Sequence, residues 1–427
     1  MSVSLVKQST DSITLQITIP FNRSMLDSES AIQSALNETG KIATSELLKN
    51  FDTDGSDISM GSVRMTSMGL LSKCYQTPYG EIEIERHVYQ TSKGGTTFCP
   101  LERDARIILT STPKFAAQIS HKMAEMAGAQ VRDDLSANHD RKVSLALIQR
   151  LSEAVSSIVQ IKEESWSYHV PEIKATTIKT VGIGLDGTCM LMCEGSYRQA
   201  VVGTISLYDK EGERQHTTYI AAAPEYGKEK FKERLTREIE RTKQLYPRAL
   251  YIGIADGAHD NWEFLEQHTT KQTLDFYHAT EYLTKVSESI FSTSEEKKNW
   301  LDDRCHQLKH TPGAATNILD EMSNFKNNDL TDKQRDTVDA AVTYFKNNID
   351  KSRMNYAESV SNNHVIGSGV TEAACKTIVK QRLCKSGMKW KEKGASIILS
   401  LRTLVRSTGR WEQFWRKVNQ YGFPIAA

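Results

Sequence analysis

The sequence predicts an α/β protein, and three features of residues 177–278 carry that expectation. First, three strand-like stretches (177–186, 199–208 and 216–222) follow one another, and helix 226–244, strand 249–255, helix 260–267 and strand 272–277 then alternate. Second, helix 226–244 is amphipathic, with Phe231, Leu235 and Ile239 on one face and Lys, Arg and Glu on the other. Third, two apolar runs, Val181–Leu185 and Tyr251–Ala255, each end on an aspartate, Asp186 and Asp256. Three consecutive strands followed by alternating helices and strands is the order of a ribonuclease-H-like core. In that topology the first and fourth strands lie side by side, so the two aspartates meet.

Upstream of this core, Ile13, Leu15, Ile17 and Ile19 alternate, which predicts a half-buried strand ending at Pro20. A helix-like stretch follows over 27–51, then the linker Asp52–Ser56. A hairpin is predicted from Cys74-Tyr75 through the turn Pro78–Gly80 to Ile82, Ile84 and Val88, and Gly94-Gly95 turns the chain before Phe98. Residues 1–110 are therefore expected to form a small amino-terminal α+β domain.

From Thr112 the period becomes helical. Thr112 can cap, Pro113 takes the first helical position, Phe115, Ile119 and Met123 share a face, and Gly128 follows the expected end. A short segment carries Val131 and Leu135, and Ser144 caps a third helix with Ile148, Leu151, Val155 and Ile158 on its apolar face. Three short helices over 111–170, with Arg141, Lys142 and Arg150 nearby, fit a DNA-binding helix-turn-helix. They fit an ordinary three-helix packing unit as well.

The core is expected to begin at 171 and to run to 292. Beyond His278 the chain turns helical and polar, anchored by Trp300, Leu308 and Phe345. The 116 residues from Asp256 to Glu372 are too many for a direct return from sheet to helix, so a helical insertion is expected over 293–360. Residues 361–427 then bring the turn Gly367-Ser-Gly369, the helix bearing Glu372 and a basic tail that completes the core. After Glu372, twelve basic residues face only Glu392 and Glu412. Lys376, Lys380, Arg382, Lys385, Lys389, Arg402 and Arg406 are candidate phosphate contacts, as a phosphate-backbone partner calls for. The alternative is a solvated basic helix pair.

Composition narrows the classes. A chain of 427 residues makes two to four domains, and its net charge of +1 carries no information beside the local basic excess. There is no apolar run long enough for a membrane span, and Met1–Pro20 alternates instead of forming a signal-peptide block. Seven scattered cysteines point to reduced thiols and a cytoplasmic protein. Cys189 and Cys193 have no second pair to complete a zinc site, so zinc is not expected.

The chemistry follows from the carboxylates. Two strand-end aspartates and a glutamate on a nearby helix can hold two divalent metals about 4 Å apart, a pair that stabilises both the attacking and the leaving oxygen of a phosphodiester. Oxygen ligands suit Mg²⁺, with Mn²⁺ as a substitute. Asp186 bridges both metals in this scheme, Asp256 holds one and Glu372 the other. Lys376 and Lys380 follow Glu372 at four-residue steps and are placed on its face to hold phosphates. Asp275 and His278 form an Asp-x-x-His step that can orient water or contact a phosphate, or serve structure alone. Trp300 reads as core, with base stacking as the functional alternative.

Leu185-Asp-Gly-Thr188, Ile254-Ala-Asp-Gly257, Asp275-Phe-Tyr-His278 and Gly367-Ser-Gly-Val-Thr-Glu-Ala-Ala374 resemble bacterial insertion-sequence transposases of the DDE type. Within these the ISKra group, similar to Mutator-like transposases, is the nearest likeness. The tail from Lys380-Gln-Arg-Leu383 through Gly387-Met-Lys-Trp390 to Arg410-Trp-Glu-Gln-Phe-Trp415 is also like that group, and the likeness covers roughly residues 75 to 425. It implies an Asp186, Asp256, Glu372 triad, Mg²⁺, cleavage at the element's ends and strand transfer into target DNA. It also implies an amino-terminal region that binds terminal inverted repeats, a homodimer or higher oligomer on DNA, and a bacterial, nucleoid-associated location. Members often carry paired cysteines ahead of the segment like Phe98-Cys-Pro-Leu-Glu102; here only Cys74 and Cys99 lie nearby, so no zinc ribbon is expected. Two other classes remain open: a non-catalytic DNA-binding protein derived from a transposase, and a ribonuclease-H-like nuclease without strand transfer.

Overall fold

A computed structural model describes residues 2–9, 11–21, 23–162, 165–170, 173–224, 228–325 and 330–422. The chain is mixed α/β and divides into two compact units. The first holds Met1–Tyr168 with Ser400–Val405 and the segment from Arg410; the second holds His169–Leu399 with Arg406–Gly409. Among the described residues no helix is long and apolar enough to cross a membrane.

In the first unit, β1 (Ser2–Gln8) and β2 (Ile13–Thr18) pair antiparallel. Helix α1 (Met25–Lys49) starts where the Ser24 hydroxyl accepts the Asp27 N–H at 3.3 Å, two residues ahead of the sequence expectation. β3 (Ile58–Met60), β4 (Val63–Gln76) and β5 (Glu81–Gln90) form an antiparallel sheet with β4 in the middle. The alternation of β5 turns Ile82 and Ile84 onto Tyr75 and Leu48, where Leu101 of α2 (Pro100–Asp104) and Ile107 complete a small core.

Three helices follow, α3 (Pro113–Glu125), α4 (Gly128–His139) and α5 (Leu145–Lys162), and they pack on one another. Phe115, Ile119, Met123, Val131, Leu135, Ile148, Leu151, Val155 and Ile158 are all buried, as their period requires. Two details differ from the sequence expectation. Gly128 opens α4 instead of closing α3, and the Thr112 hydroxyl makes no cap bond. Arg141 also needs correcting as a DNA contact. It is buried, donates to the Thr77 carbonyl at 3.1 Å and to Gln76 Oε1 at 2.7 Å, and lies 5.1 Å from the centre of the Phe115 ring. Lys142 and Arg150 are exposed.

The second unit is built on a five-stranded sheet of order β10-β9-β6-β7-β8. β6 (Thr180–Leu191), β7 (Tyr197–Tyr208) and β8 (Arg214–Ala222) are antiparallel neighbours; β9 (Leu250–Ala255) runs parallel to β6, and β10 (Lys271–Leu274) parallel to β9. α6 (Glu229–Leu245) packs Phe231 and Leu235 over Gly203, and α7 (His259–His268) packs Leu265 over Gly253. The first two residues of the expected helix 226–244 lie outside the described residues. β10 stops at Leu274, short of the expected 277, because Asp275 already caps α8 (Phe276–Ile290). A helical stretch follows: α9 (Ser294–His310), α10 (Ala314–Phe325), α11 (Asp332–Ile349) and α12 (Tyr356–Ser361). Leu308, Ile318, Met322 and Phe345 join it to the same apolar core as the sheet.

The chain then forms α13 (Gly369–Ala374), a π-helical turn over Cys375–Lys380, α14 (Gln381–Leu383) and α15 (Glu392–Arg406). Within the first unit, Arg402 is buried and donates to the Ala124 carbonyl at 2.7 Å and to Glu125 Oε2 at 2.8 Å, a cation placed on the last turn of α3. It is therefore structural, another correction to the expected phosphate contacts. α16 (Arg410–Tyr421) sets Phe414 edge-on to Trp166 and Trp411 edge-on to His121, at 5.8 and 5.4 Å.

Arg141→Ala is expected to destabilise the protein by about 1–3 kcal/mol, because two hydrogen-bond partners are left behind in a buried place. Lys142→Ala is expected to stay within roughly 0.5 kcal/mol. Urea denaturation of both variants measures the contrast.

Candidate active site

The site begins with the register of β6. This strand pairs with β7 over its whole length, from Thr180↔Tyr208 to Leu191↔Tyr197, but with β9 only from Thr180↔Leu250 to Gly184↔Ile254. Asp186 is thus not at a strand end, as the apolar run suggested. It sits where β6 loses its parallel neighbour and continues with β7 alone. Asp186 and Asp256 each lie two residues beyond the last pair, Gly184↔Ile254, so they stand at one level, Asp186 within β6 and Asp256 just past the end of β9. Parallel neighbours are about 4.8 Å apart.

Alternation along β6 puts Gly182, Gly184 and Asp186 on one face and Val181, Ile183 and Leu185 on the other. The second set belongs to the core under α6 and α7. The first set is a track for the returning chain. A Cβ on Gly182 would stand 3.3 Å from Val365 Cγ1, and one on Gly184 would stand 2.1 Å from Thr371 Oγ1. Next along the track, Cys375 Sγ donates to Asp186 Oδ2 at 3.4 Å. Thr371 Oγ1 also meets Thr204 Oγ1 of β7 at 2.7 Å. The helix carrying Glu372 therefore lies directly on β6, closer than any side chain at Gly184 would permit. Burial pushes the Cys375 thiol well up, and the Asp186 charge adds to the effect, so the thiol keeps the proton it donates.

Glu372 faces a second group. Asp275, wholly buried, caps α8: its Oδ1 accepts the His278 N–H at 2.8 Å and meets His278 Nδ1 at 3.3 Å, while Oδ2 accepts the Ser368 N–H. The Ser368 hydroxyl donates to Glu372 Oε1 at 2.6 Å. Burial pushes the Asp275 carboxyl up, but the donors from Ser368 and His278 outweigh it and hold the group below its ordinary value. Burial lowers His278, yet the hydrogen bond and charge of Asp275, with Glu281 and Asp256, raise it overall. Among the described residues, ligand atoms of Asp275, His278 and Glu372 all lie within 4.8 Å of one another; the other such group is the exposed His259, Asp260 and Glu263. Neither group contains Asp186 or Asp256.

Asp256 is held by the helical stretch. Its Oδ1 accepts the Ala258 N–H at 3.2 Å, and its carbonyl accepts the Tyr344 hydroxyl of α11 at 2.7 Å. The Tyr344 ring stacks on Tyr282 at 3.9 Å and would be 3.0 Å from a Cβ at Gly257, whose φ is +116°. Glycine is required in that turn on both counts.

An open cleft of about 840 Å³ is lined by Asp186, Glu372, Cys375, Lys376 and Lys380, among others. Lys376 and Lys380 thus share the cleft with Asp186 and Glu372, but not with Asp256, and through a π turn in place of a regular helical face. Lys385, Lys389 and Arg406 are exposed. Arg382 is buried against Trp390, its guanidinium 5.6 Å from the ring centre, and so braces α14 instead of facing a partner. Trp300 is a core residue, packed with Phe291 and Phe325, its indole N–H donating to Glu321 at 2.9 Å. Cys375 and Tyr344 were not singled out by sequence. The alternation Gly-x-Gly-x-Asp over 182–186 was the signal for close packing on β6; nothing local to Tyr344 marks its role.

Gly184→Ala is expected to cost about 1–3 kcal/mol by overpacking, with Thr371→Ala recovering part of the loss in the double variant. Chemical denaturation across the four-protein cycle tests this. For His278 the raised value means stability is fully present below its ordinary 6.5 and is lost as pH rises through the folded value. The lowered Asp275 contributes above its ordinary 3.8 and loses that contribution as pH falls through its folded value. The stability gap between the parent and His278→Asn is therefore expected to be widest between these two pH values and to shrink in alkaline solution, as urea midpoints across pH will show.

Comparison with protein-family models finds none that matches this chain, and comparison with curated proteins finds no similar sequence.

Proposed function

We propose that this chain is a DDE-type DNA transposase that cuts at the ends of an insertion sequence and joins the freed 3′-OH to target DNA. One observation carries the reading: Asp186, within β6, and Asp256, just past the end of the parallel neighbour β9, stand at one level, with the Glu372 helix laid on β6. The order β10-β9-β6-β7-β8, with β9 and β10 parallel to β6 and the other two antiparallel, supports a ribonuclease-H-like core. Helices α9–α12 between Asp256 and Glu372 support the insertion that the resemblance implies.

A pair of Mg²⁺ ions fits the donor set of Asp186, Asp256 and Glu372, which is all oxygen and opens on the cleft at Asp186 and Glu372. When bound, such ions neutralise charge on the attacking and leaving oxygens of a phosphodiester. The protein's own residues do the positioning. Cys375 orients the Asp186 carboxylate, Ser368 orients Glu372, and Tyr344 fixes the turn that carries Asp256. Lys376 and Lys380 on the cleft wall hold phosphate oxygens, with Lys385, Lys389 and Arg406 as outlying backbone contacts. Helices α3–α5 are the candidate reader of the terminal inverted repeats, through Lys142 and Arg150 on their exposed side. The partners in this reading are element ends and target DNA, bound by a homodimer or higher oligomer in the bacterial nucleoid.

Asp186→Asn, Asp256→Asn and Glu372→Gln are each expected to reduce Mg²⁺- or Mn²⁺-dependent cleavage of element ends by on the order of 10⁴-fold, with end binding changed only a few-fold. Robust cutting by any of them, or full activity in EDTA, overturns the assignment. Nicking without joining in the parent would favour a nuclease. Changing Lys376 and Lys380 together to Ala is expected to flatten the log–log salt dependence of binding by about two units, one per phosphate contact. An unchanged slope would place both lysines outside the DNA interface.

A further inference from the structure

We infer that the β1–β2 hairpin and helix α1 form a self-association surface, covered by the same surface of a second copy of this chain in a two-fold dimer that forms without DNA. The inference goes beyond the proposed function and does not rest on it.

The first observation is an apolar layer that one chain leaves uncovered. The pairs Val3↔Ile17 and Leu5↔Leu15 set these four side chains on one face of the hairpin, with Ile13 in the same row, while Ser2↔Thr18 and Ser4↔Gln16 line the other face. None of the five apolar side chains is buried. Helix α1 shows the same defect. Met25, Leu36 and Leu47 recur about three turns apart and so fall on one line, with Ile32 beside it. The three are 71, 52 and 57 % exposed. Between Leu36 and Leu47, Tyr79 lies over Gly40 so closely that a Cβ there would collide with its ring, and Tyr79 is itself exposed. Among the described residues from 2 to 47, only Ser28 and Ala35 are buried.

Stability turns that defect into a requirement. An isolated two-stranded hairpin is marginal in water, and a helix draws most of its stability from packing its apolar face. Neither element buries the other here, so the segment calls for a partner that accompanies every chain, and a second copy meets that condition. The area agrees. Nine of the exposed large apolar side chains lie within the first 47 positions. At roughly 100 Å² of apolar surface per side chain, their exposed shares come to roughly 500 Å². A standard interface takes about 800 Å² from each partner, about 65 % of it apolar in homodimers. Charge separates this occupant from others. Over residues 2–49, four basic residues stand against five acidic ones, and Lys41 and Lys49 are already paired with Glu38 and Glu46 at 2.7 and 2.6 Å. A phosphate backbone or an anionic membrane calls for a basic excess, which this surface lacks.

Sedimentation of the full-length protein without DNA tests the surface. At micromolar concentration the parent is expected to run as a dimer, at twice the chain mass of 48.1 kDa. Leu36→Glu combined with Leu47→Glu is expected to weaken association by at least about a hundredfold, tenfold or more for each charge set into the apolar contact. Gln16→Glu, on the polar face of the hairpin, is expected to leave association unchanged. A monomeric parent overturns the inference, and so does a double variant that dimerises as tightly as the parent. Loss of DNA binding by the double variant with its mass unchanged would assign the face to nucleic acid instead. Hydrogen exchange on the unsubstituted protein decides the matter even if the double variant misfolds. Amides of residues 25–47 are expected to exchange more slowly as protein concentration rises, and rates independent of concentration contradict the dimer. A dimer that cuts no DNA removes the proposed function alone, and a monomer that cuts and joins removes this surface alone.

Discussion

The arrangement rests on a missing side chain. At Gly184 the backbone of β6 is bare, and Thr371 fills the space where a Cβ would sit only 2.1 Å from its hydroxyl. Because of that contact the segment after Gly367 can run along β6 instead of above it, and Cys375 reaches Asp186. A side chain at 184 would lift the helix by the thickness of a methyl group, and the cleft would lose one wall. The Thr204–Thr371 hydrogen bond ties the same helix to β7, so two strands share in fixing where Glu372 emerges.

Each carboxylate is then held by a different part of the second unit. Asp186 depends on the sheet and the π turn, Asp256 on Tyr344 from α11, and Glu372 on Ser368, whose own N–H is bound by Asp275. The helical stretch is therefore more than an insertion of spare length: its tyrosine closes on the Asp256–Gly257 turn. Under the proposed phosphodiester chemistry, orientation of this kind would matter, because displacement of a reacting group by about 1 Å can cost on the order of a hundredfold in rate. The π turn over Cys375–Lys380 has a similar consequence, since it brings both Lys376 and Lys380 to the cleft while burying Ile378 and Val379.

Much of this was legible in the sequence because it is local. The period of two in β5 and the helical period of α3, α5 and α6 follow from residue spacing, while the adjacency of the strands before Asp186 and Asp256 was expected only by analogy with a fold that has the same element order. What escaped was set by tertiary contact. Nothing near Asp186 shows that β6 runs on to Leu191, since β7 carries it after β9 has ended. Arg141, Arg382 and Arg402 look like their exposed basic neighbours, yet each is consumed by carbonyls, a carboxylate or a ring. Charge counts alone cannot separate a cation that braces a helix from one that meets a phosphate. Asp275 and His278 were visible as an Asp-x-x-His step, but the Ser368 N–H that Asp275 also accepts lies 93 positions further along the chain, and only the fold brings it there.

Crystals soaked in Mn²⁺ would test the central point most directly, through anomalous scattering from the metal. If Asp186, Asp256 and Glu372 make one metal centre, a peak is expected in the cleft about 2.2 Å from an Asp186 carboxylate oxygen. Anomalous density confined to the exposed His259, Asp260 and Glu263, with none touching Asp186, would contradict it.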